Sequence, residues 1–367
     1  MRFGAFSVLD TYPELAVPCE DRTVEVLGHC VLAERLGFST FWVTEHHFRP
    51  SSVLPSPPVW IAAASGRTRS IRLGSLVSVL PLHDPLQLAE EFALADRLSG
   101  GRVEIGVGPG YVASEFDALG RDPKERHRDF AERLPEFIAA LSGARLPFRR
   151  ELDRSVRLNV LPIQRPTPPV WVAAAHKESI RSAARAGLGV ALMPCMTLED
   201  VEEVQGLVDA FRSGLPPGVP PRVLVALPVY RGDSETVGRR ACARFLRTRP
   251  LGDGELHRSG PPLRRCEADL DARGLAVLRG SSSGEDLISD LARMGVTDCA
   301  AIFDFGGLPA RVVRRSMRRW AAESSIWSGH ASGSTTGSVP PRDVPRQGSF
   351  DVTAPGVSIQ ARGVPSK

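Results

Sequence analysis

A helical pattern that ends in glycine and is followed at once by an apolar β-type run recurs along this chain of 367 residues. The pattern occurs at Gly37, Gly187 and Gly295. Glycine just beyond a helix adopts the left-handed conformation that redirects the backbone. Strands that alternate with helices need crossover connections, so this repetition predicts a parallel sheet covered by helices.

Eight segments have the composition of buried strands, and several of them are nearly continuous apolar runs. The predicted strands are Phe3–Val8, Thr40–Thr44, Ile71–Val77, Arg102–Gly108, Val170–Ala174, Gly189–Met193, Val223–Tyr230 and Cys299–Phe303. Eight alternating units in about 320 residues predict an α/β fold, the TIM (β/α)8 barrel. A doubly wound open sheet is the alternative, but the chain lacks the glycine fingerprint of dinucleotide-binding folds.

Three segments depart from this alternation. Ser142–Thr167 and Arg249–Ser283 are longer than ordinary connections. We interpret both as insertions over the top of the barrel, the second as a mobile lid, with plain surface insertion as the alternative. Ser328–Lys367 is rich in Ser, Gly, Pro and Thr and is predicted to be a disordered tail. The predicted domains are therefore a barrel at residues 1–327 and a tail at 328–367.

Charge and cysteine usage exclude several functional classes. The formal net charge of +4 is too small to indicate a nucleic-acid-binding or membrane-surface protein. No apolar run approaches the roughly 18 residues of a membrane span, and no signal-peptide pattern is visible at the N-terminus. The six cysteines include no Cys-x-x-Cys pair, which favours reduced thiols. We therefore expect a cytoplasmic protein.

The active site of a TIM barrel lies at the carboxyl ends of its strands, so residues that follow each strand are the candidates. Glu45, His46 and His47 follow the second strand. Histidine titrates near neutral pH and suits proton transfer. Adjacent strand residues point to opposite faces, so the two histidines should not bind one metal ion, and no metal site is predicted. His83, after the third strand, is expected to orient its loop.

Alternate glycines follow the fourth strand, at Gly106, Gly108 and Gly110, and precede Tyr111. Such glycines permit the backbone to approach a flat or phosphorylated ligand. A tight turn is the equal alternative, since this spacing is not the dinucleotide fingerprint.

A helix is predicted to begin after the fifth strand, near His176, Lys177 and Ser179. Free amide groups at a helix N-terminus, together with these side chains, can hold a phosphate. An ordinary N-cap with exposed charges is the alternative interpretation. Gly306 and Gly307, after the eighth strand, are the rival phosphate site.

Taken together, the motifs resemble the bacterial-luciferase-like flavin-dependent monooxygenases across Met1–Glu323. The matching segments are Arg2–Gly4, Trp42–Phe48, Leu80–His83, Ala89–Glu91, Leu98–Tyr111, Ser114–Phe116 and Phe305–Pro309. Each segment alone is weak evidence, whereas the ordered set is specific to the family. The resemblance implies a barrel that binds reduced FMN and activates O2 as a C4a-peroxyflavin. That species oxygenates an aldehyde, ketone or biosynthetic intermediate.

The resemblance also implies roles for individual residues. His46 matches the catalytic histidine of the family and His47 is carried over as its support. The implied cofactor-binding residues are Leu76, Val77, Gly108, Gly110, Tyr111, Ala174, Ala175, His176 and Ser179. A non-prolyl cis peptide is implied at Leu76–Val77, since family members often carry one at the matching bond.

Departures from luciferase itself are equally specific. Gly108 stands in place of its reactive cysteine, and Pro109 in place of a phosphate-binding arginine. Ala174 and Ala175 replace a Glu-Ser pair, so only Ser179 retains a hydroxyl of the phosphate region. The sequence therefore predicts a family member that is not a luciferase and whose phosphate contacts differ.

A separate flavin reductase is the expected source of reduced FMN, because the chain shows no NAD(P)H-binding motif. The other expected partners are O2, a small-molecule substrate and a second copy in a homodimer, with no nucleic acid or membrane. Two alternatives stay open. One is an F420-dependent hydride-transfer oxidoreductase of the same fold, and the other is a non-catalytic barrel that binds flavin.

Overall fold

The computed structural model describes residues 1–12, 15, 20–49, 52–147, 154–198, 200–248, 273–278 and 283–330. Eight parallel strands in these ranges form a closed barrel. They are β1 (Arg2–Ser7), β2 (Thr40–Val43), β3 (Arg72–Val79), β4 (Val103–Gly108), β5 (Val170–Ala173), β6 (Gly189–Leu192), β7 (Val223–Pro228) and β8 (Asp298–Ile302).

Each strand pairs with the next in chain order, and β1 closes the barrel by pairing with β8 from Arg2–Asp298 to Phe6–Ile302. The predicted TIM barrel is confirmed, and no predicted strand end differs from the observed one by more than two residues. Helices surround the barrel. They are α1 (Glu20–Arg35), α2 (Pro57–Ser65), α3 (Pro85–Leu98), α4 (Ala113–Ala118), α5 (Arg126–Ser142), α6 (Lys177–Arg185), α7 (Pro194–Thr197), α8 (Glu203–Gly214), α9 (Glu235–Thr248), α10 (Ser283–Met294) and α11 (Ala310–His330).

Large and small side chains alternate inside the barrel. The rings of Trp42 and Trp171 meet edge to face with their centroids 6.0 Å apart. Each ring lies against a glycine of the next strand. A Cβ at Gly74 would lie 2.3 Å from the Trp42 ring, and one at Gly189 would lie 2.6 Å from the Trp171 ring. These two glycines therefore make room for the two tryptophans.

A buried carboxylate closes the amino-terminal end of the barrel, which we call the floor. Glu104 is fully buried and accepts hydrogen bonds from Trp171 Nε1 at 2.7 Å and Arg72 Nε at 2.6 Å. Arg2 Nη1 lies 3.4 Å from the same carboxylate. The floor is thus tied together by charge-assisted hydrogen bonds from three strands.

The described part of the first predicted insertion lies at the floor, so the prediction that this segment passes over the top of the barrel is wrong for those residues. Gln164 hydrogen-bonds to the Val103 carbonyl at 2.8 Å and to Arg72 at 3.0 Å, both at the start of a strand. The reason is topological, because this segment leads from a helix to the beginning of β5. Of the second insertion, 273–278 and Ser283 are described, and Val277 pairs with Val229 just beyond β7. The rest of the predicted lid lies outside the described residues.

The last helix, α11, continues to His330 and so includes the first three residues of the predicted tail. The remaining tail residues, from 331 onward, lie outside the described residues. Among the helices that are described, none combines the length and hydropathy of a membrane-spanning segment.

Candidate active site

A cavity lies at the carboxyl ends of the barrel strands, where a TIM barrel carries its active site. It is lined by residues of β1 and of β3 to β7, and by the segments that follow β1, β2, β4, β5 and β6. Ten of the predicted site residues line it: His46, Leu76, Val77, Gly108, Gly110, Tyr111, Ala174, Ala175, His176 and Ser179. His47, the other predicted catalytic residue, is not among the lining residues.

His46 is held by a carboxylate from another part of the barrel. Its Nδ1 lies 2.9 Å from Oε1 of Glu115 in α4, and both side chains are buried. The same carboxylate oxygen accepts the backbone N–H of His47 at 3.2 Å. A carboxylate acceptor at Nδ1 selects the tautomer that carries its proton there, which leaves Nε2 of His46 as the nitrogen available to a bound molecule. The Tyr111 ring meets the imidazole edge to face at 5.8 Å.

Sequence reasoning placed Glu115 in a matching segment but gave it no role. The available signal was a carboxylate near the start of the helix that follows the glycine loop. Nothing in the local sequence shows that this helix meets the residue after β2, because Glu115 is 69 positions from His46.

His47 and His83 share a second carboxylate. Nε2 of each imidazole lies 2.8 Å from Oε1 of Glu45, and Oε2 accepts the Val79 N–H at 3.2 Å. Burial alone would raise the pKa of Glu45, but the hydrogen bonds and charges of His47 and His83 outweigh it and lower that pKa. Burial would lower the pKa of His83, but the bond to Glu45 outweighs it and raises that pKa. The lowered pKa of Glu45 and the raised pKa of His83 both favour an ion pair between these two side chains.

The ligand atoms of Glu45, His47 and His83 all lie within 4.8 Å of one another, a spacing from which a metal ion could be held. Sequence reasoning missed this group because it considered only the adjacent histidines. Both imidazoles already hydrogen-bond to the carboxylate, so we interpret the group as an ion pair that fixes the loop after β2 against β3. The predicted role of His83 in orienting its loop stays a prediction, which this contact with Glu45 supports.

Strands β3 and β4 pack unusually closely beneath the cavity. The Leu76–Val77 peptide bond is cis, as the family resemblance implied, and the pairing register shifts between Ser75 and Ser78. A Cβ at Gly106 would lie 2.2 Å from the Ser75 carbonyl oxygen, and one at Gly108 would lie 2.9 Å from Val77 Cγ2. The interpretation of Gly106 as a ligand approach is therefore revised, because the protein itself fills that space.

One end of the cavity is basic. Arg126 and His127 of α5 line it beside His176 and Ser179 at the start of α6. Burial, followed by the positive charges of Arg126 and His176, lowers the pKa of His127. The side chain of His176, the N-cap of α6, makes no hydrogen bond to the first turn of that helix. This end suits an anion, and Arg126 was not predicted to contribute to it.

Two other phosphate candidates are placed differently. Lys177 is exposed and is not among the lining residues. Gly306 donates its N–H to the Tyr12 hydroxyl at 2.8 Å, and a Cβ there would overlap the Ala241 carbonyl. Neither Gly306 nor Gly307 lines the cavity, so the structure favours the α5–α6 end over this rival position.

Comparison with known proteins gives the family. Residues 1–278 match the family model of luciferase-like monooxygenases. The chain belongs to the luciferase-like monooxygenase family. A curated relative is the oxygenase component of a flavin-dependent trigonelline monooxygenase from Acinetobacter baylyi, 29% identical over 220 residues, which are 58% of this chain and 60% of that protein. The first curated relatives match over only 46% to 60% of their own length.

Solved structures of the luciferase-like fold use two kinds of cofactor. The oxygenating constituent of 3,6-diketocamphane monooxygenase from Pseudomonas putida, in complex with FMN, has a TM-score of 0.69 and 16% identity, and the match covers 88% of this chain and 97% of that one. An F420-dependent secondary alcohol dehydrogenase has a TM-score of 0.66 and 14% identity, with 87% and 97% covered. Likeness at this level of identity shows the fold alone.

Proposed function

We propose that this luciferase-like protein is a flavin-dependent monooxygenase that uses reduced FMN and O2 to place one oxygen atom in a small organic substrate. The observation that carries the proposal is the buried His46–Glu115 pair in a cavity that is otherwise mostly apolar and has one basic end. The named activities of relatives, a trigonelline monooxygenase among them, support the same reaction class.

The residues of the cavity fit FMN. The flat ring would lie among small and apolar side chains, which include Leu76, Val77, Gly108 and Ala174. The phosphate would bind at the basic end, where Arg126 offers a cation in place of the arginine that Pro109 replaces. Reduced FMN, once bound, supplies the electrons that activate O2.

The protein side chains control protons and water. Glu115 holds Nδ1–H of His46 and so presents Nε2 as the acid or base of the reaction. The apolar walls would exclude water from the bound cofactor and substrate, which limits side reactions. Glu45 fixes the loop that carries His46, because it binds His47, His83 and the backbone of β3. In this proposal His47 is a positioning residue.

A separate flavin reductase would supply reduced FMN. The relative from Acinetobacter baylyi carries the words oxygenase component in its name, which supports a partner of this kind. The homodimer expected from the resemblance stays a prediction.

Oxygen-dependent turnover tests the proposal. The purified protein is mixed with reduced FMN and a panel of aldehydes and ketones, and consumption of substrate is followed with and without O2. His46→Ala should lower turnover by about 100-fold or more while binding of FMN, measured by calorimetry, is retained. Turnover by His46→Ala at the wild-type rate would contradict the role of this histidine. Failure of the wild-type protein to bind FMN would overturn the proposal itself.

F420-dependent hydride transfer is the second candidate, favoured by the fold neighbour that uses F420. It needs no O2. Oxidation of a secondary alcohol with F420 under anaerobic conditions, together with no binding of FMN, would replace the first proposal by the second.

A further inference from the structure

The carboxylate of Glu45 is buried just after β2, beside two imidazoles that are partly open to solvent. Its side chain has no exposed surface, whereas the side chains of His47 and His83 are 12% and 25% exposed. Oε1 of Glu45 lies 2.8 Å from Nε2 of each imidazole, and the three ligand atoms lie within 4.8 Å of one another. One anionic oxygen and two imidazole nitrogens are therefore directed at the same small volume.

The spacing of these atoms is close to the spacing that a zinc ion requires. Zinc binds imidazole nitrogen at about 2.0–2.1 Å and carboxylate oxygen at about 2.0–2.2 Å, so neighbouring ligand atoms of a tetrahedral site lie roughly 3.3 Å apart. Each oxygen–nitrogen distance of 2.8 Å would have to lengthen by only about half an ångström. Small rotations of two partly exposed imidazoles supply a change of this size.

The backbone holds the other oxygen of the carboxylate. Oε2 of Glu45 accepts the N–H of Val79, the last residue of β3, at 3.2 Å. A hydrogen bond of this kind orients a carboxylate ligand and leaves its second oxygen for a metal ion. An ion bound by Glu45, His47 and His83 would therefore join the loop after β2, which also carries His46, to the loop after β3.

Two further charged groups act on His83, and they have opposite signs. Glu91 is acidic and Arg133 is basic, so their effects on a bound cation offset each other in part. Nη1 of Arg133 donates to the carbonyl oxygens of Pro81 and His83 at 2.7 Å each, which holds this guanidinium on the backbone. The charge of Glu45 is thus the main electrostatic attraction for a cation at this position.

We propose that Glu45, His47 and His83 form a binding site for one divalent transition-metal ion such as zinc. Imidazole and carboxylate ligands together favour such an ion over magnesium and calcium, which prefer oxygen ligands alone. On binding, the ion takes the place of the hydrogen between each Nε2 and Oε1, and that proton moves to Nδ1 or is released to solvent. Water completes the coordination from the exposed side. The role of the ion is structural, and the inference does not depend on the proposed function.

Titration calorimetry with ZnCl2 tests the site. The full-length protein, without an affinity tag and freed of metal with a chelator that is then removed, is titrated in the absence of FMN. One zinc ion should bind with a Kd below about 10 µM, and excess MgCl2 should not displace it. Failure to bind zinc at this affinity would overturn the proposal, and displacement by magnesium would overturn the assignment of the ligands.

Variants assign the binding to these side chains. His83→Gln and His47→Gln each remove one imidazole ligand and keep a side chain that can hydrogen-bond to Glu45, so the zinc affinity of each should fall at least about tenfold. His127→Gln removes an exposed imidazole outside the group and should keep the wild-type affinity. Wild-type affinity in both ligand variants would overturn the site.

Cobalt gives a readout that needs no variant. Co2+ bound by two imidazoles, one carboxylate and water should show the strong visible absorption of a four-coordinate ion. The weak spectrum of a six-coordinate ion, or a thiolate-to-cobalt charge-transfer band, would place the ion elsewhere and overturn the proposal. This spectrum of the wild-type protein decides if the variants do not fold.

Discussion

At the scale of single residues, His46 and His47 show how far side chains that are adjacent in sequence can differ. His46 pairs with Glu115 and lines the cavity, whereas His47 pairs with Glu45 and is not among the lining residues. The alternation of side chains along an extended backbone explains the separation. Each histidine therefore has its own carboxylate, and the two pairs are open to separate tests.

Glu115→Gln tests the first pair. The amide keeps the size of the side chain but removes the charge that stabilises an imidazolium. Its NH2 group can also donate a hydrogen bond to Nδ1 of His46, which a carboxylate cannot do, and this would favour the other tautomer of the imidazole. We expect kcat to fall by about 10- to 100-fold, with a changed pH profile, while FMN affinity is retained. The profile is measured over the pH range in which the wild-type protein is folded. A variant that keeps both kcat and the wild-type profile would show that Glu115 does not position His46.

His83→Gln tests the second pair through the pH dependence of stability. The raised pKa of His83 adds stability below its ordinary value of 6.5, and this is lost as pH rises through the folded-state pKa. The lowered pKa of Glu45 adds stability above its ordinary value of 4.5, and this is lost as pH falls through the folded-state pKa. Both contributions are present between these two values.

The stability lost in His83→Gln should therefore be greatest near pH 5.5 and smaller near pH 8.5. Urea unfolding of both proteins at the two pH values measures this difference. A loss that is the same at both would show that the charge of His83 does not contribute to stability.

At the scale of elements, the contact between β3 and β4 depends on the absence of a side chain. Gly106 faces the backbone of β3 so closely that a Cβ would lie 2.2 Å from the Ser75 carbonyl oxygen. The Ser75 hydroxyl also donates to the Gly106 carbonyl at 2.8 Å and accepts the Gly106 N–H at 3.0 Å. This contact fixes the two strands that lie under the cavity.

Gly106→Ala should lower the free energy of unfolding by about 1–3 kcal/mol, because backbone atoms must move to admit the methyl group. Gly28→Ala is the control. Gly28 lies on the exposed side of α1 with nothing within 4 Å of a new Cβ, so alanine there should stabilise the protein by about 0.5–1 kcal/mol. Denaturant unfolding measures both, and equal effects of the two substitutions would contradict the close contact.

At the scale of the whole molecule, the barrel separates stability from chemistry. Glu104 joins strands at the floor, whereas the titratable side chains of the cavity lie at the opposite, carboxyl ends of the strands. In a TIM barrel this division lets loops change without loss of the fold.

Glu104→Ala should therefore destabilise the protein by about 1–3 kcal/mol, because it leaves the buried Trp171 N–H without its acceptor. Arg128→Ala breaks an exposed ion pair with Glu125, in which the arginine is 64% accessible, and should cost less than about 1 kcal/mol. Chemical unfolding compares the two variants. FMN affinity of folded Glu104→Ala should equal that of the wild type, and a selective loss would show that floor and cavity are coupled.

The alternation of strands and helices, with glycine at the helix ends, was enough to determine the barrel and the edge at which its cavity lies. Residues that directly follow a strand were also predictable, since the ends of all parallel strands meet at one edge. His46, Tyr111 and His176 are examples. The described residues of 142–167 lie at the floor because a helix-to-strand connection ends there, and the composition of the segment does not record this.

Tertiary structure alone decided the partners. Glu115 meets His46, and Arg126 lines the same cavity as His176, only because α4 and the start of α5 lie at the carboxyl ends of the strands. Such pairs join residues dozens of positions apart, and no local spacing, propensity or periodicity records them. Sequence patterns reflect interactions within one helix or strand. Proton transfer and charge balance in the cavity depend instead on distances between side chains of different helices and strands.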